Sequence, residues 1–235
     1  MSSYLNDCFT KFIRKEQINT TFELGSRDIK DAIELYKYYN CKVYAFECNP
    51  ECLIECKKNL HEASNIINEN VYLVETAVSL ENQDVTFYPF DLTKYNNMGS
   101  SSMFKIDFSL RDVNDPDYRR ENPQKQITVK GKRLDTFMEE NQLQSVDLLC
   151  IDLQGYELNA LKSLGDKLKN VKYIITECSI VSTYTGGATF VELNNFLNDN
   201  GFIYVSSNNF GQSFPDTRLK GFSEFDVLFV HKDLL

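Results

Sequence analysis

Apolar positions along this chain fall into short continuous runs that alternate with stretches of helical spacing. "TTFELG" (20–25) is a short apolar run ending in glycine, and "DIKDAIELYKYYN" (28–40) places Ile29, Ala32, Ile33, Leu35 and Tyr36 on one helical face. "CKVYAFE" (41–47) is β-branched and aromatic, the composition of a strand, and "PECLIECKKNLHEA" (50–63) is a helix with proline in its first turn. "VYLVETAVS" (71–79) and "DVTFYPF" (84–90) read as strands. "VDLLCID" (146–152) is a buried strand running into a helix at "YELNALKSLGDKL" (156–168). "VKYIITECS" (171–179) is a strand, and "ATFVELNNFLNDN" (188–200) is a helix that Gly201 ends. "GFIYVSS" (201–207) and "FDVLFVHK" (225–232) close the chain as an antiparallel pair.

Apolar strands separated by helices of about 10–15 residues predict an α/β fold, a mainly parallel sheet covered on both faces. No repeat, low-complexity tract or Pro/Gly/Ser linker divides the chain, so residues 1–235 are expected to form one domain. Leu5, Cys8, Phe9, Phe12 and Ile13 suggest an N-terminal helix within residues 1–19. One segment breaks the alternation. Residues 91–130 are long and polar, and a connection of that length is usually functional or disordered, so it is expected to lie over an acceptor site.

The totals narrow the function classes. At 42% hydrophobic residues there is material for a core, and no run approaches the roughly 20 apolar residues that span a bilayer. The first residues carry no apolar core of signal-peptide length, which points to a cytoplasmic protein without membrane partners. A net charge of −9 argues against a nucleic-acid partner, which needs a basic surface. Monomer and homodimer are both open.

The seven cysteines favour reduced thiols, because the number is odd and several fall inside apolar strands. Cys48, Cys52, Cys56 and His61 share a spacing that could meet a zinc ion. There is no tight Cys-x-x-Cys knuckle and no second pair, so buried small apolar residues are the better reading and no metal ligand is assigned.

In an open parallel sheet, ligands bind beyond the carboxyl ends of the strands, where strand order reverses. The sequence puts an acid at one strand end after another. The first strand ends in Glu23, Gly25, Ser26, Arg27 and Asp28, the second in Glu47, the fourth in Asp152, Gln154, Gly155 and Glu157, and the fifth in Glu177. Gly25 permits close approach to a ligand. Glu47 follows at the interval where a carboxylate takes ribose hydroxyls. The loop "GSRDIK" has one glycine where a pyrophosphate needs several close backbone approaches, so a nucleoside without phosphates fits better than NAD. S-adenosyl-L-methionine meets that description, with ribose on Glu47, adenine along Thr76, Ala77 and Val78, and the methionine end over Gly25–Arg27, where Arg27 can pair with its carboxylate. A plain turn at Gly25 and a solvated cap at Glu47 are the bland alternatives.

"RLDTFMEENQLQSVDLLCIDLQGYELNALKSLGDKL" followed by "VKYIITECS" resembles the FkbM family of S-adenosylmethionine-dependent methyltransferases. The matching residues are Arg133-Leu134-Asp135, then Asp152, Gln154, Gly155 and Glu157, then Glu177. Upstream, "FELGSRD" is similar to the family's first cofactor motif and "FECNP" to its second; "TAVSLENQDVTFYPF" and the serine pair of "SSM" (101–103) follow in the family's order. The resemblance covers roughly residues 20–205. It implies a Rossmann-like class I methyltransferase fold with a seven-stranded sheet whose last strand is antiparallel. It carries Cys48, Asn49, Ser101 and Ser102 to the cofactor side and implies methyl transfer to a hydroxyl, often on a sugar or natural product. Two positions depart from the family: Ile29 stands where a second glycine is usual, and Cys48 where a proline is. Ile29 is expected to crowd the cofactor loop.

Methyl transfer to a hydroxyl requires close positioning and gains from a general base. Asp152 is the first candidate and Glu177 the second, with Gln154 orienting cofactor or acceptor. Glu157 fits a structural cap as well as a catalytic role. Asp152 and Glu177 on neighbouring strands could instead hold Mg²⁺, the less favoured option. Arg119 and Arg120 lie in a locally basic stretch of the long insertion and suggest a phosphate-bearing small-molecule acceptor such as a nucleotide sugar, with Tyr184 on the other rim. An NAD-dependent sugar-modifying enzyme and a non-catalytic module on the same fold are the competing readings.

Overall fold

The structure is a computed structural model that describes residues 2–93, 99–107, 124–208 and 224–235. Its main sheet has seven strands: β1 (Thr20–Leu24), β2 (Lys42–Glu47), β3 (Val71–Glu75), β7 (Val146–Ile151), β8 (Val171–Ser179), β9 (Phe202–Asn208) and β10 (Glu224–His231). They lie in the order β3-β2-β1-β7-β8-β10-β9. β10 is antiparallel to both its neighbours, and the first five strands in that order are parallel. This is the Rossmann-like arrangement of class I methyltransferases that the sequence led us to expect. The chain moves outward from β1 to β3 and returns to place β7 on the other side of β1. Strand order therefore reverses between β1 and β7, and the crevice beyond their carboxyl ends is where such sheets bind ligands.

Each face of the sheet is buried under helices. On one face, α2 (Lys30–Tyr39) packs Ala32, Leu35 and Tyr36 against Val43, Ala45 and Cys150. On the other, α5 (Leu134–Glu140), α6 (Glu157–Lys162) and α7 (Phe190–Asp199) cover Phe22, Leu149, Ile151 and Ile174. β7 is buried at every position, which explains its unbroken apolar run. α3 (Pro50–Glu62) is capped by Asn49, and α7 by a reciprocal Thr189–Glu192 capping box.

Several expectations change. The expected N-terminal helix is three short turns: a 3₁₀ turn at Ser3–Leu5, α1 (Asp7–Thr10) and a 3₁₀ turn at Lys15–Gln17. Asn6 accepts from the backbone of Cys8 and restarts the chain, so Tyr4, Leu5, Phe9 and Ile13 reach the core individually, while Phe12 stays exposed. The helix expected over 156–168 holds α geometry only through α6 and continues as a 3₁₀ segment from Gly165, whose φ is +49°. The long third strand breaks at Thr76, whose hydroxyl donates to the carbonyl of Lys130 at 2.8 Å. β4 (Ala77–Val78) then leaves the main sheet and, with β5 (Asp84–Phe87) and β6 (Ile127–Lys132), forms a small sheet in the order β4-β6-β5. Residues 127–130, expected to belong to the insertion, are thus a strand.

Candidate active site

The turns leaving β1 and β7 are locked together by backbone contacts. The N–H groups of Gly25 and Ser26 both donate to the carbonyl of Phe46 at 3.0 Å, and the N–H of Asp152 donates to the carbonyl of Leu24 at 3.0 Å. Gly25 has φ +90°, a conformation that side chains disfavour. Arg27 and Ile29 follow in the left-handed region at φ +49° and +64°, so α2 cannot begin before Lys30.

Glu47 ends β2 facing this turn. One carboxylate oxygen accepts from the backbone of Cys48 at 2.8 Å and Asn49 at 2.7 Å; the other accepts from the backbone of Arg27 at 2.8 Å. Burial raises its pKa, and the three N–H groups pull it back. Glu47 therefore fixes the cofactor turn as well as facing the crevice.

Beyond these turns lies a cavity of about 370 Å³. Gly25, Ser26, Arg27, Asp31 and Asp152 line one part of it. Glu47, Cys48 and Asn49 line another, and Thr76, Ala77 and Val78 form a wall with Phe46 and Phe87. Ser101, Leu153 and Gln154 complete the rim. The lining thus combines apolar and charged side chains, with Arg27 the one basic side chain among its described residues. That set fits an adenosine carrying a zwitterionic tail.

Three residues expected at the cofactor lie elsewhere. Glu23 points below the turn, wholly buried, and takes a hydrogen bond from the Ser26 hydroxyl; burial pushes its pKa up to about 8. Asp28 faces outward and pairs with Lys30 at 3.0 Å. Ser102 is buried behind the rim, its hydroxyl donating to the carbonyl of Gln154 at 2.8 Å. Of these, only Asp28 sits within the left-handed turn at Arg27 and Ile29.

Asp152 lines the cavity, and Glu177 meets it from behind. The side-chain amide of Gln154 donates to Asp152 at 2.7 Å and to Glu177 at 2.9 Å, and the two carboxyls also hydrogen-bond to each other. Burial raises both pKa values, and the charge of Asp152 raises that of Glu177 further, so the two carboxyls titrate as a pair above the ordinary carboxylate range. The Tyr184 hydroxyl lies 2.8 Å from the side-chain oxygen of Gln154 and orients the amide toward the acids. Tyr184 lines a small hollow behind Gln154 together with Glu177 and Glu224, rather than the main cavity. Gly155 has φ +97°, and an added Cβ would come within 3.1 Å of the Tyr184 side chain. Glu157 accepts from the backbone N–H groups of Leu153 at 2.9 Å and Gly155 at 3.1 Å, the cap that the sequence suggested; burial pushes its pKa up to about 7.

With the geometry in place, the Methyltransferase FkbM domain matches residues 27–204. The chain belongs to the FkbM methyltransferase family. It is 25% identical over 167 residues to the 2-O-methyltransferase NoeI of Sinorhizobium fredii; the match covers 70% of this chain and 65% of NoeI, so it spans less than two thirds of that relative. Among solved structures, an FkbM methyltransferase from Methylobacillus flagellatus superposes with a TM-score of 0.57 at 9% identity, covering 94% of this chain and 46% of that one. Sp1610 of Streptococcus pneumoniae superposes with a TM-score of 0.52 at 14% identity, covering 98% of this chain and 70% of that one. Both likenesses are of fold.

Ile29, the departure from the FkbM pattern, does not line the cavity. It adopts the left-handed conformation that glycine takes freely, and its side chain is wholly buried in the core beside α2. A β-branched residue held there carries strain of about 1–3 kcal/mol. The expected crowding is therefore replaced by backbone strain offset by core packing.

Asp152, Glu157 and Glu177 each bring one oxygen within 4.8 Å of the others, the spacing of a possible metal site. The Gln154 amide bridges two of them, and backbone N–H groups bond the third. Cys48 and Cys52 line the cavity, Cys52 and Cys56 are buried, and burial raises all three thiols. Arg119 and Arg120 lie outside the described residues. Ser3, Tyr4, Asp31 and Met103 also line the cavity, and no sequence reading pointed to them as lining residues. Only Met103, next to the serine pair, stood beside a recognised motif.

Proposed function

We infer that this FkbM-family chain is an S-adenosyl-L-methionine-dependent O-methyltransferase acting on a hydroxyl of a small molecule, a sugar or sugar derivative. The carrying observation is the cavity at the β1/β7 crevice, lined by Glu47, Arg27, an apolar group and Asp152, with Glu177 joined to Asp152 through Gln154 just behind it. When bound, the cofactor supplies an electrophilic methyl group on a sulfonium.

The residues divide the work. Phe46, Val78 and Phe87 provide the apolar slot for the adenine. A carboxylate has about four acceptor sites. The backbone takes three of those on Glu47, leaving roughly one for a ribose hydroxyl. Arg27 has no ion pair among the described residues and is exposed on the cavity lining, suited to a carboxylate. Asp152 accepts the proton of the acceptor hydroxyl, while Glu177 and Gln154 donate to it and hold its orientation. Acidic walls favour an acceptor whose reacting end is neutral. A phosphate elsewhere on that acceptor belongs with Arg119 and Arg120. The relationship to a 2-O-methyltransferase supports a hydroxyl acceptor. No described helix is long and apolar enough to cross a membrane; the seven unpaired cysteines favour a reducing site of action, the cytoplasm.

Calorimetric titration with S-adenosylmethionine and S-adenosylhomocysteine, with NADH as the control, tests the reading. Micromolar binding of the first two, weakened at least tenfold in Glu47→Ala, is expected. Binding of NADH alone would replace it with an oxidoreductase.

A further inference from the structure

One wall of the cavity comes from outside the family-matched segment. Ser3 and Tyr4 line it, although the match begins at residue 27. Their turn is anchored at several points. The backbone N–H of Ser2 donates to the Glu34 carboxylate, and the Ser2 hydroxyl accepts from the N–H of Tyr4 at 3.3 Å and hydrogen-bonds to Asp31. The Ser3 hydroxyl hydrogen-bonds to Asp226. The turn is thereby fixed between α2 and β10.

The anchoring serves a particular side chain. Tyr4 is 4% exposed, yet it lines the cavity, and its hydroxyl has no hydrogen-bond partner among the described residues. The hydroxyl is not sealed in the way the unpartnered Tyr39 hydroxyl is, so it opens to the cavity, where a ligand or water can accept from it. Burial, helped by the charges of Asp152, Glu23 and Asp226, raises its pKa and keeps the phenol protonated, so it can act as a donor. Asp31 lies in the first turn of α2, half-buried, and also lines the cavity. Arg27 lines the same cavity. Arg27, the Tyr4 hydroxyl and, besides the base Asp152, the Asp31 carboxylate match a ligand group bearing one negative and one positive charge. A diphosphate would meet the acids with a single cation to offset them.

We propose that Tyr4 and Asp31 hold the α-amino-acid end of the cofactor: the Tyr4 hydroxyl joins Arg27 on the carboxylate, and Asp31 accepts from the ammonium. This rests on the cofactor reading above and adds two residues that lie outside the recognised motifs. It also gives the N-terminal turn a role in binding, because Tyr4 reaches the ligand only while Ser2 and Ser3 hold the turn.

Calorimetry with three ligands tests it: S-adenosylhomocysteine, decarboxylated S-adenosylmethionine, which lacks the carboxylate, and 5′-methylthioadenosine, which lacks the whole amino-acid end. Tyr4→Phe should weaken S-adenosylhomocysteine about tenfold, the effect of one hydrogen bond to a charged group, and leave the other two ligands unchanged. Asp31→Asn should weaken the first two ligands by about tenfold or more and spare 5′-methylthioadenosine. Unchanged binding of 5′-methylthioadenosine also reports that each variant is folded. Equal weakening of all three ligands would make both residues structural and overturn the proposal, as would variants indistinguishable from wild type. A wild-type protein that binds 5′-methylthioadenosine as tightly as S-adenosylhomocysteine would overturn it while leaving an adenosine site intact. Binding of none of the three would remove the cofactor reading, and this inference with it.

Discussion

A Cβ added to Gly25 would stand 1.9 Å from the carbonyl oxygen of Asp152, well inside any real contact. The turn after β1 and the turn after β7 therefore touch through bare backbone, and the cofactor end and the base end of the site are one rigid unit. Because φ at Gly25 is +90°, an alanine there is strained even before the clash. Gly25→Ala is expected to cost more than about 3 kcal/mol of stability, in the range reserved for such clashes. It should also abolish cofactor binding in whatever folded fraction remains. Urea denaturation followed by calorimetry measures both. A variant of wild-type stability with normal affinity would show that the two turns move apart easily.

The Asp152–Glu177 pair makes a prediction about pH. Burial raises the pKa of Asp152 above the ordinary carboxylate range, so activity should rise with pH through that value as Asp152 loses its proton. Asp152→Asn should lower kcat by about 10²–10⁴-fold and remove this acid limb. Glu177→Gln keeps a donor beside Asp152 and should retain the limb with a smaller loss. The reverse ranking would make Glu177 the base. Activity should also be indifferent to EDTA, since Gln154 stands between the two acids; loss restored by Mg²⁺ would assign these carboxyls to a metal instead.

How far the sequence could be read follows from the range of the contacts involved. Gly25, Glu47, Asp152 and Gln154 were legible because each sits a fixed step beyond an apolar strand, and periodicity locates strand ends. β6 and α5 were not: "ITVKGK" alternates with charge at an exposed edge and looks like part of the polar insertion. Tyr4 and Asp31 were invisible for a different reason. Nothing local marks a residue whose role comes from a turn folding back over a distant crevice. Asp28 was placed on the cofactor because a strand-and-turn rule cannot foresee the left-handed residues Arg27 and Ile29, and Glu23 because the rule reads a strand end without its alternating faces.

Ile29 itself gives a third prediction. Ile29→Gly relieves strain of about 1–3 kcal/mol but removes a wholly buried side chain, a change that costs about 2–5 kcal/mol in a core. The variant should be net less stable, yet its affinity for S-adenosylhomocysteine should match wild type, because the side chain is absent from the cavity wall. An affinity raised tenfold would mean that Ile29 obstructs the cofactor loop after all.

Glu23 ties the cofactor turn to stability. It is wholly buried, accepts from Ser26, and has its pKa pushed from 4.5 to about 8, mainly by burial. Between those values the unfolded chain releases the proton while the folded chain keeps it. The stabilisation is therefore complete below the unfolded pKa and is lost as pH rises toward 8. Glu23→Gln keeps the shape and a polar contact to Ser26 without a titrating proton. Wild-type Tm should fall more steeply than that of Glu23→Gln from pH 5 to about 8, the two curves running parallel above it. Asp226, Glu157 and Glu177 are raised as well and act in both proteins, so the difference between the curves isolates Glu23. Parallel curves across the whole range would mean that Glu23 is already ionised in the folded chain, its charge carried by the turn above it.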